Sequence, residues 1–308
     1  IKAIKKLIEQ HQIDTLHCHL FKASVIGYLI KRLYYPHLKL IIHEHGQIVG
    51  SDTGSKVLDY VYDNFNALAA AKTDLFIAVS MAMKNLLIEK ASINEEKVNT
   101  LYNFVDLSKF RNTFSTADTL AYRASLGIAP DDFVIGFAGR LIPRKGWRSY
   151  LEAAKLIHDN DPLGKFKFLL AGDGADKAAI NQFIAEYNLT DTVFPLGYVK
   201  TMPLFYASLN CFVMPSHFEG LPMSQLEVMA LGIPLISTAG PGMDEIPKDG
   251  IDALFVQMRA PHDIAEKIMH LHAHPNLAQQ LCNNAQKTVQ SHNLDNYILQ
   301  LEQLYAVL

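Results

Sequence analysis

Short, wholly apolar runs recur along this chain, and the stretches between them return an apolar residue every three or four positions. The first pattern is that of a buried strand and the second that of an amphipathic helix. In the N-terminal part Ile1, Ile4, Leu7 and Ile8 predict a helix over 1–10, followed by a strand over 13–18, a helix over 22–33 and a strand over 38–42. A helix over 57–71, a strand over 74–79, a helix over 81–89 and a fourth strand over 98–101 complete that half. The stretch 111–131 is polar and mixed, with a short helix near 122–126, and reads as a connection between domains. Beyond it a strand opens at Phe133, a helix covers 147–158, and strands follow over 166–170, 192–196 and 210–214, with a short helix over 203–207. Strands over 233–237 and 252–256, helices over 261–272 and 277–289, and an amphipathic end through Leu294, Ile298, Leu301, Leu304 and Tyr305 close the chain. Strands and helices alternating at these lengths predict parallel sheets covered on both faces, with ligands gathering at the carboxyl ends of the strands.

Composition narrows this picture only modestly. A chain of 308 residues that is 49% hydrophobic and 19% charged suggests two domains with ordinary globular cores. A net charge of −3 gives no bias toward nucleic acid. The first forty residues differ, carrying Lys2, Lys5, Lys6, Lys22, Lys31, Arg32 and Lys39 against Glu9 and Asp14. Such a basic edge is ordinarily a solvated helix face, and it would also suit peripheral contact with an anionic membrane surface. Cys18, Cys211 and Cys282 are odd in number and far apart, so no disulfide framework is indicated and a cytoplasmic location fits. No apolar run reaches the length of a membrane span, and no secretory signal pattern opens the chain. The chain starts with Ile inside a helical pattern, as a fragment would.

The candidate chemistry centres on the stretch 215–234, in which a strand runs through a loop into a helix. Pro222 suits the first helical position, and Gly232 with Pro234 ends the helix. A helix N-terminus reached through a loop containing Gly220 offers unpaired N–H groups to a phosphate. Glu219 in that loop and Glu227 in the helix would repel phosphate but accept hydrogen bonds from hydroxyls, and a nucleotide sugar has both parts. Two glutamates eight apart also occur by chance on many helices. Arg140 at the end of the strand from Phe133, and Lys145 at the next helix entrance, can neutralise a diphosphate, while Arg144 reads as a solvated neighbour. His43-Glu-His-Gly46 follows the strand over 38–42. His17 and His19 form a His-x-His pair, but no third ligand follows at a usual spacing, so packing at a strand end is expected and no metal site. Gly172-x-Gly174 fails as a dinucleotide fingerprint because Lys177 holds the third glycine position.

Taken in order, His-Gly46 after an early strand, Gly139-Arg-x-x-x-x-Lys-Gly146, Gly172-Asp-Gly174 and Pro-Ser-x-x-Glu219-Gly-x-Pro with Glu227 resemble the retaining glycosyltransferases of family 4. That resemblance covers almost the whole chain and implies an α/β GT-B fold, two Rossmann-like parallel-sheet domains facing a cleft. It implies an acceptor-side domain over 1–112, a nucleotide-sugar domain over 113–290, and a helix over 291–308 returning to the first. It departs from the family at Phe104 in Tyr102-Asn-Phe-Val-Asp106, where glycine is usual, and at Asp244 before Glu245-Ile246, where proline is usual. The family's first strand and Gly-rich loop are missing, so the chain is expected to bind a nucleotide sugar better than it turns one over.

The roles the resemblance implies are specific. Arg140 and Lys145, aided by backbone N–H groups near Leu221 to Ser224, would hold the leaving diphosphate. Glu219 would hold sugar hydroxyls and Glu227 ribose hydroxyls. His45, with His43 as rival, would contact the donor sugar, and Val79-Ser80 would face the cleft. Gly139, Gly172 and Gly220 would border the donor, and Gly197-Tyr198-Val199 would lie against the nucleobase. The donor would be of UDP or GDP type, the acceptor a glycan or lipid-linked saccharide, the anomeric outcome retention, and no cofactor or metal would be needed. A pyridoxal-dependent phosphorylase, a sugar-nucleotide epimerase and a non-catalytic binding module are the competing readings.

Overall fold

The computed structural model describes residues 1–46, 56–110 and 114–308, which form two compact units, Ile1–Asn103 with Asp295–Leu308, and Phe104–Leu294. The first unit contains α1 (Lys2–His11), β1 (Thr15–His19), α2 (Leu20–Leu33), β2 (Lys39–Glu44), α3 (Lys56–Ala69), β3 (Leu75–Ala78), α4 (Met81–Ala91) and β4 (Val98–Thr100). Its four strands are parallel and lie in the order β1-β2-β3-β4. Continuous apolar runs suit strands covered on both faces, and Leu40, Ile41, Ile42 and every residue of β3 are buried. β2 runs two residues past the strand expected over 38–42, because His43 pairs with His19 and Glu44 with Ala78 in the parallel register.

The second unit contains α5 (Thr116–Ser125), β5 (Phe133–Ala138), α6 (Trp147–His158), β6 (Phe166–Ala171), α7 (Lys177–Glu186), β7 (Val193–Gly197), α8 (Met202–Ala207), β8 (Cys211–Met214), α9 (Met223–Leu231), β9 (Leu235–Thr238), β10 (Leu254–Val256), α10 (Pro261–Ala273) and α11 (Pro275–Thr288). The stretch expected to link the domains belongs largely to this unit. Ser115 and Asp118 cap α5 reciprocally, and Arg123 donates to the Ser208 carbonyl and to Asn210 Oδ1, each at 2.8 Å. Residues 111–113 lie outside the described ones. α7 has no counterpart in the sequence reading, although Ile180, Phe183 and Ile184 are its buried, helically spaced face.

The six parallel strands follow the order β10-β9-β8-β5-β6-β7. The chain therefore starts at β5, builds outward through β6 and β7, then returns to build the other side from β8. That reversal opens a crevice beyond the carboxyl ends of β5 and β8, where open parallel sheets bind their ligands. Beneath it Tyr150 is fully buried, its hydroxyl 3.0 Å from the carbonyls of both Ile135 and Leu169, which pins α6 to the middle of the sheet.

The last helix, α12 (Leu294–Ala306), packs with the first unit. Its Tyr297, Leu301 and Leu304, with Leu308, lie on buried Ile41, Leu75, Ile77 and Leu101. The second unit is thus inserted into the first, and its two ends are joined by a 2.9 Å hydrogen bond from the Val105 N–H to the His292 carbonyl. Among the described residues no helix is long and apolar enough to cross a membrane.

Candidate functional site

A pocket of about 590 Å³ lies at the carboxyl ends of β5, β6 and β7 and the start of α9. Gly139, Arg140, Lys145, Gly172, Tyr198, Val199, Glu219, Leu221, Pro222 and Met223 line it. Of the other residues expected there, Gly197 and Gly220 sit in the same loops without lining the pocket. Glu227 lies one layer behind Tyr206, which does line it and whose hydroxyl donates to Glu227 Oε2 at 2.9 Å. The pocket adds Lys200, Met202 and Tyr206, which the sequence reading did not single out, and Asp173 and Ser224, which it named only within the Gly172-Asp-Gly174 turn and the Leu221 to Ser224 backbone stretch. Lys200 directly follows the Gly197-Tyr-Val199 turn and brings a third cation to the wall.

Backbone contacts too close for a side chain hold the loops together. Gly146 adopts φ +71°, and a Cβ there would sit 1.9 Å from the Pro215 carbonyl oxygen. Only glycine therefore lets the loop after β5 touch the loop after β8. Next to this contact the His217 N–H donates to the Arg144 carbonyl at 2.8 Å. Gly172, at φ +141°, sets its Cα side against the Gly139 carbonyl in the same way, and its N–H reaches the Gly197 carbonyl at 2.7 Å. Trp147 Nε1 donates to Asp176 Oδ2 at 2.7 Å and ties the entrance of α6 to that of α7.

Charge in the pocket is unevenly placed. Lys145 Nζ and Glu219 Oε1 are 2.6 Å apart, with side chains 19% and 9% exposed, so the pair is mostly shielded from water. Arg140 is exposed and has no ion-pair partner among the described residues. α9 begins one residue later than expected: Pro222 is its N-cap in an extended conformation, and Met223 is the first helical residue. No side chain caps this end and no acidic residue occupies its first turn, so the helix dipole is directed at the pocket at Met223 and Ser224, while the Gln225 N–H donates to the Pro222 carbonyl at 3.2 Å. Burial pushes the Glu227 carboxyl above the usual carboxylate range, opposed by the hydrogen bond from Tyr206.

His45 belongs to the first unit, immediately after β2. It lines a pocket of about 420 Å³ together with His19, Glu44 and the first turn of α2. Its Nε2 is 2.9 Å from His19 Nδ1, and burial, with His19 beside it, lowers its pKa to about 4. The rival, His43, is completely buried inside β2 and its pKa is lowered to about 2, mainly by burial. Glu44, on the opposite face of β2, accepts a 2.9 Å hydrogen bond from Asn66 Nδ2 and is pushed up to about 7 by burial. Ser80 caps α4 through a 3.2 Å bond from the Met83 N–H. The four imidazoles of His17, His19, His43 and His45 form one cluster, contrary to the reading of His17 and His19 as an isolated pair. Spacing along the chain could not reveal this, because the partners come from the neighbouring strand.

The family model described as Glycosyl transferases group 1 matches residues 118–288, and the one described as Glycosyltransferase Family 4 matches residues 1–109. The UDP-Gal:alpha-D-GlcNAc-diphosphoundecaprenol alpha-1,3-galactosyltransferase of Escherichia coli is 26% identical over 83% of this chain, which spans 65% of that protein. The N-acetyl-alpha-D-glucosaminyl L-malate synthase of Bacillus anthracis is 22% identical over 97% of this chain and 76% of its own length. The structure of HepE from Anabaena in complex with UDP-glucose superposes with a TM-score of 0.85 at 21% identity, covering 99% of this chain and 82% of HepE.

Proposed function

Because the chain belongs to the group 1 glycosyltransferases and has their GT-B fold, we propose that it moves a hexose from a nucleoside diphosphate sugar to an acceptor hydroxyl with retention at the anomeric carbon. The observation that carries this reading is the pocket at the β5–β8 crevice, where Lys145, Arg140 and the uncapped start of α9 converge with Glu219. In the reaction the bond from the anomeric carbon to the diphosphate oxygen breaks and a bond to the acceptor oxygen forms. The acceptor's proton leaves with the diphosphate. Lys145, Arg140 and the α9 N–H groups stabilise the negative charge that grows on the leaving group. Glu219 accepts hydrogen bonds from sugar hydroxyls, and Glu227, oriented by Tyr206, accepts them from the ribose. His45 contacts the donor sugar, an assignment taken from the family resemblance. With this many cations the diphosphate needs no metal ion, and no cofactor is required.

A UDP donor and a lipid-linked or glycan acceptor are the substrate classes proposed. The relatives support them: one is named for UDP-Gal and a diphosphoundecaprenol acceptor, and another is solved with UDP-glucose. The basic residues of α1 suit peripheral association with the cytoplasmic face of a membrane. Thermal shift against UDP-, GDP- and ADP-sugars, followed by assay of UDP release with lipid-linked saccharides, tests the reading. Stabilisation by UDP-sugars, a retained anomer in the product and a rate indifferent to added Mg²⁺ or Mn²⁺ are expected. No stabilisation by any nucleotide sugar would overturn it, and inversion of the donor sugar without an acceptor would indicate an epimerase.

A further inference from the structure

His17 and His19 are alternate residues of β1, so both side chains lie on one face of the sheet. The parallel register sets His43 of β2 directly beside His19, on that same face. Three imidazoles thus meet at the carboxyl ends of two adjacent strands. The rings of His17 and His19 are 4.3 Å apart and those of His17 and His43 5.3 Å apart. One ring nitrogen from each of the three lies within 4.8 Å of the other two.

We propose that this cluster is a binding site for a divalent transition metal of the Zn²⁺ type, with His17, His19 and His43 as ligands. A tetrahedral zinc site with bonds of ~2.0–2.1 Å holds its ligand nitrogens about 3.3 Å apart. His17 Nε2 and His43 Nδ1 already stand at 3.2 Å, so side-chain rotation of His19 closes the set. The other nitrogen of His17, Nδ1, is 2.6 Å from the Tyr305 hydroxyl on α12, the kind of outer partner that fixes the ring orientation of a metal-binding histidine. His19 has the same support from His45, at 2.9 Å. His43 is fully buried and turns Nδ1 toward His17 Nε2, which makes Nδ1 its ligand atom; Nε2, with no hydrogen-bond partner, then carries the ring proton.

Three neutral imidazoles with no carboxylate favour Zn²⁺ or Co²⁺ over Mg²⁺ or Ca²⁺, which take oxygen ligands. The site lies wholly in the first unit and does not depend on the transferase reading. Its competitor is a ladder of hydrogen-bonded histidines with no affinity for metal.

The test uses the full chain, stripped of metal and titrated with Co²⁺, with Zn²⁺ stoichiometry measured in parallel. One equivalent of Co²⁺ should give the intense visible bands of a four-coordinate ion and be displaced by Zn²⁺. His17→Asn and His19→Asn, which leave buried His43 in place, should each weaken binding more than tenfold. Tyr305→Phe removes an orienting partner but no ligand, and should weaken it about tenfold. His270 on α10 and His274 just beyond its end, with rings 4.3 Å apart, are the control for surface binding, and their replacement by Ala should change nothing. Absence of the bands in the folded chain would overturn the proposal. So would binding that survives His17→Asn and His19→Asn and is lost with His270 and His274.

Discussion

Lys145 Nζ meets Glu219 Oε1 at 2.6 Å, although the two residues stand 74 positions apart and reach each other from the loops after β5 and β8. On the proposed function, Lys145 would divide its charge between this carboxylate and an incoming diphosphate. Glu219→Gln removes the competitor while keeping the shape. UDP, which lacks the transferable sugar, should then bind several-fold more tightly, while transfer from the full donor slows. Lys145→Ala should lower kcat by roughly 10²–10³-fold, the loss typical of one transition-state donor. Calorimetry with UDP alongside steady-state rates separates the two effects; weaker UDP binding in Glu219→Gln would count against the competition.

The hydrogen bond from Tyr206 to Glu227 makes a prediction in pH. Burial raises the Glu227 pKa in the folded chain above its usual value of 4.5, so the folded state holds a proton that the unfolded state has released. Stability from this group is therefore present below pH 4.5 and is lost as pH rises through the raised pKa. UDP binding should move the opposite way, weakening in acid as Glu227 loses its charge and its full capacity to accept from ribose hydroxyls. Tyr206→Phe removes the opposing hydrogen bond and should shift the midpoint of the UDP affinity profile to higher pH. A midpoint unchanged in Tyr206→Phe would separate Glu227 from the ribose.

Gly146 and Gly164 offer a matched pair. Both adopt positive φ, +71° and +61°, but a Cβ on Gly164 meets nothing within 4 Å whereas one on Gly146 strikes the Pro215 carbonyl. Gly164→Ala should cost roughly 1 kcal/mol of stability, the backbone term alone. Gly146→Ala should cost visibly more in denaturant melts and also weaken UDP binding, because it forces the two loops apart.

Leu301 and Leu304 test the returning helix. They pack on Ile41, Leu75, Ile77 and Leu101, which are 0–3% exposed beneath them. Partly buried leucines fall at the lower end of the usual Leu→Ala range, so each truncation should cost about 2 kcal/mol. Removing residues 295–308 should leave this surface open to a hydrophobic dye. A melt unaffected by the double substitution would mean that α12 contributes little to the first unit.

Most strands and helices were legible because a parallel sheet needs continuous apolar runs, and runs such as those over 40–42 and 133–138 leave little choice of structure. The loop residues were legible for a similar reason: Gly139, Arg140, Lys145 and Glu219 follow strand ends, where chain topology concentrates ligands. What escaped depends on lateral relationships. His43 beside His19, and Tyr206 behind the pocket at Glu227, are set by strand register and helix packing, which leave no periodic trace. α7 was missed although Ile180, Phe183 and Ile184 carry helical spacing, because the Gly-rich turn before it drew the reading to the loop. Pro222 was displaced by one position because the same ring that suits the first helical turn also suits the extended residue before it.

The hydrogen bond between Val105 and His292 has a consequence for how such a protein can be taken apart. It brings the entrance and exit of the larger unit to a single point, so the segment 104–294 is a cassette with adjoining ends. Cloned alone, circularly permuted or grafted into another host at one surface turn, it needs no new linker to bridge a gap. The pocket proposed to grip the nucleotide is in this sense portable, and its interchange between chains requires two cuts at one spot.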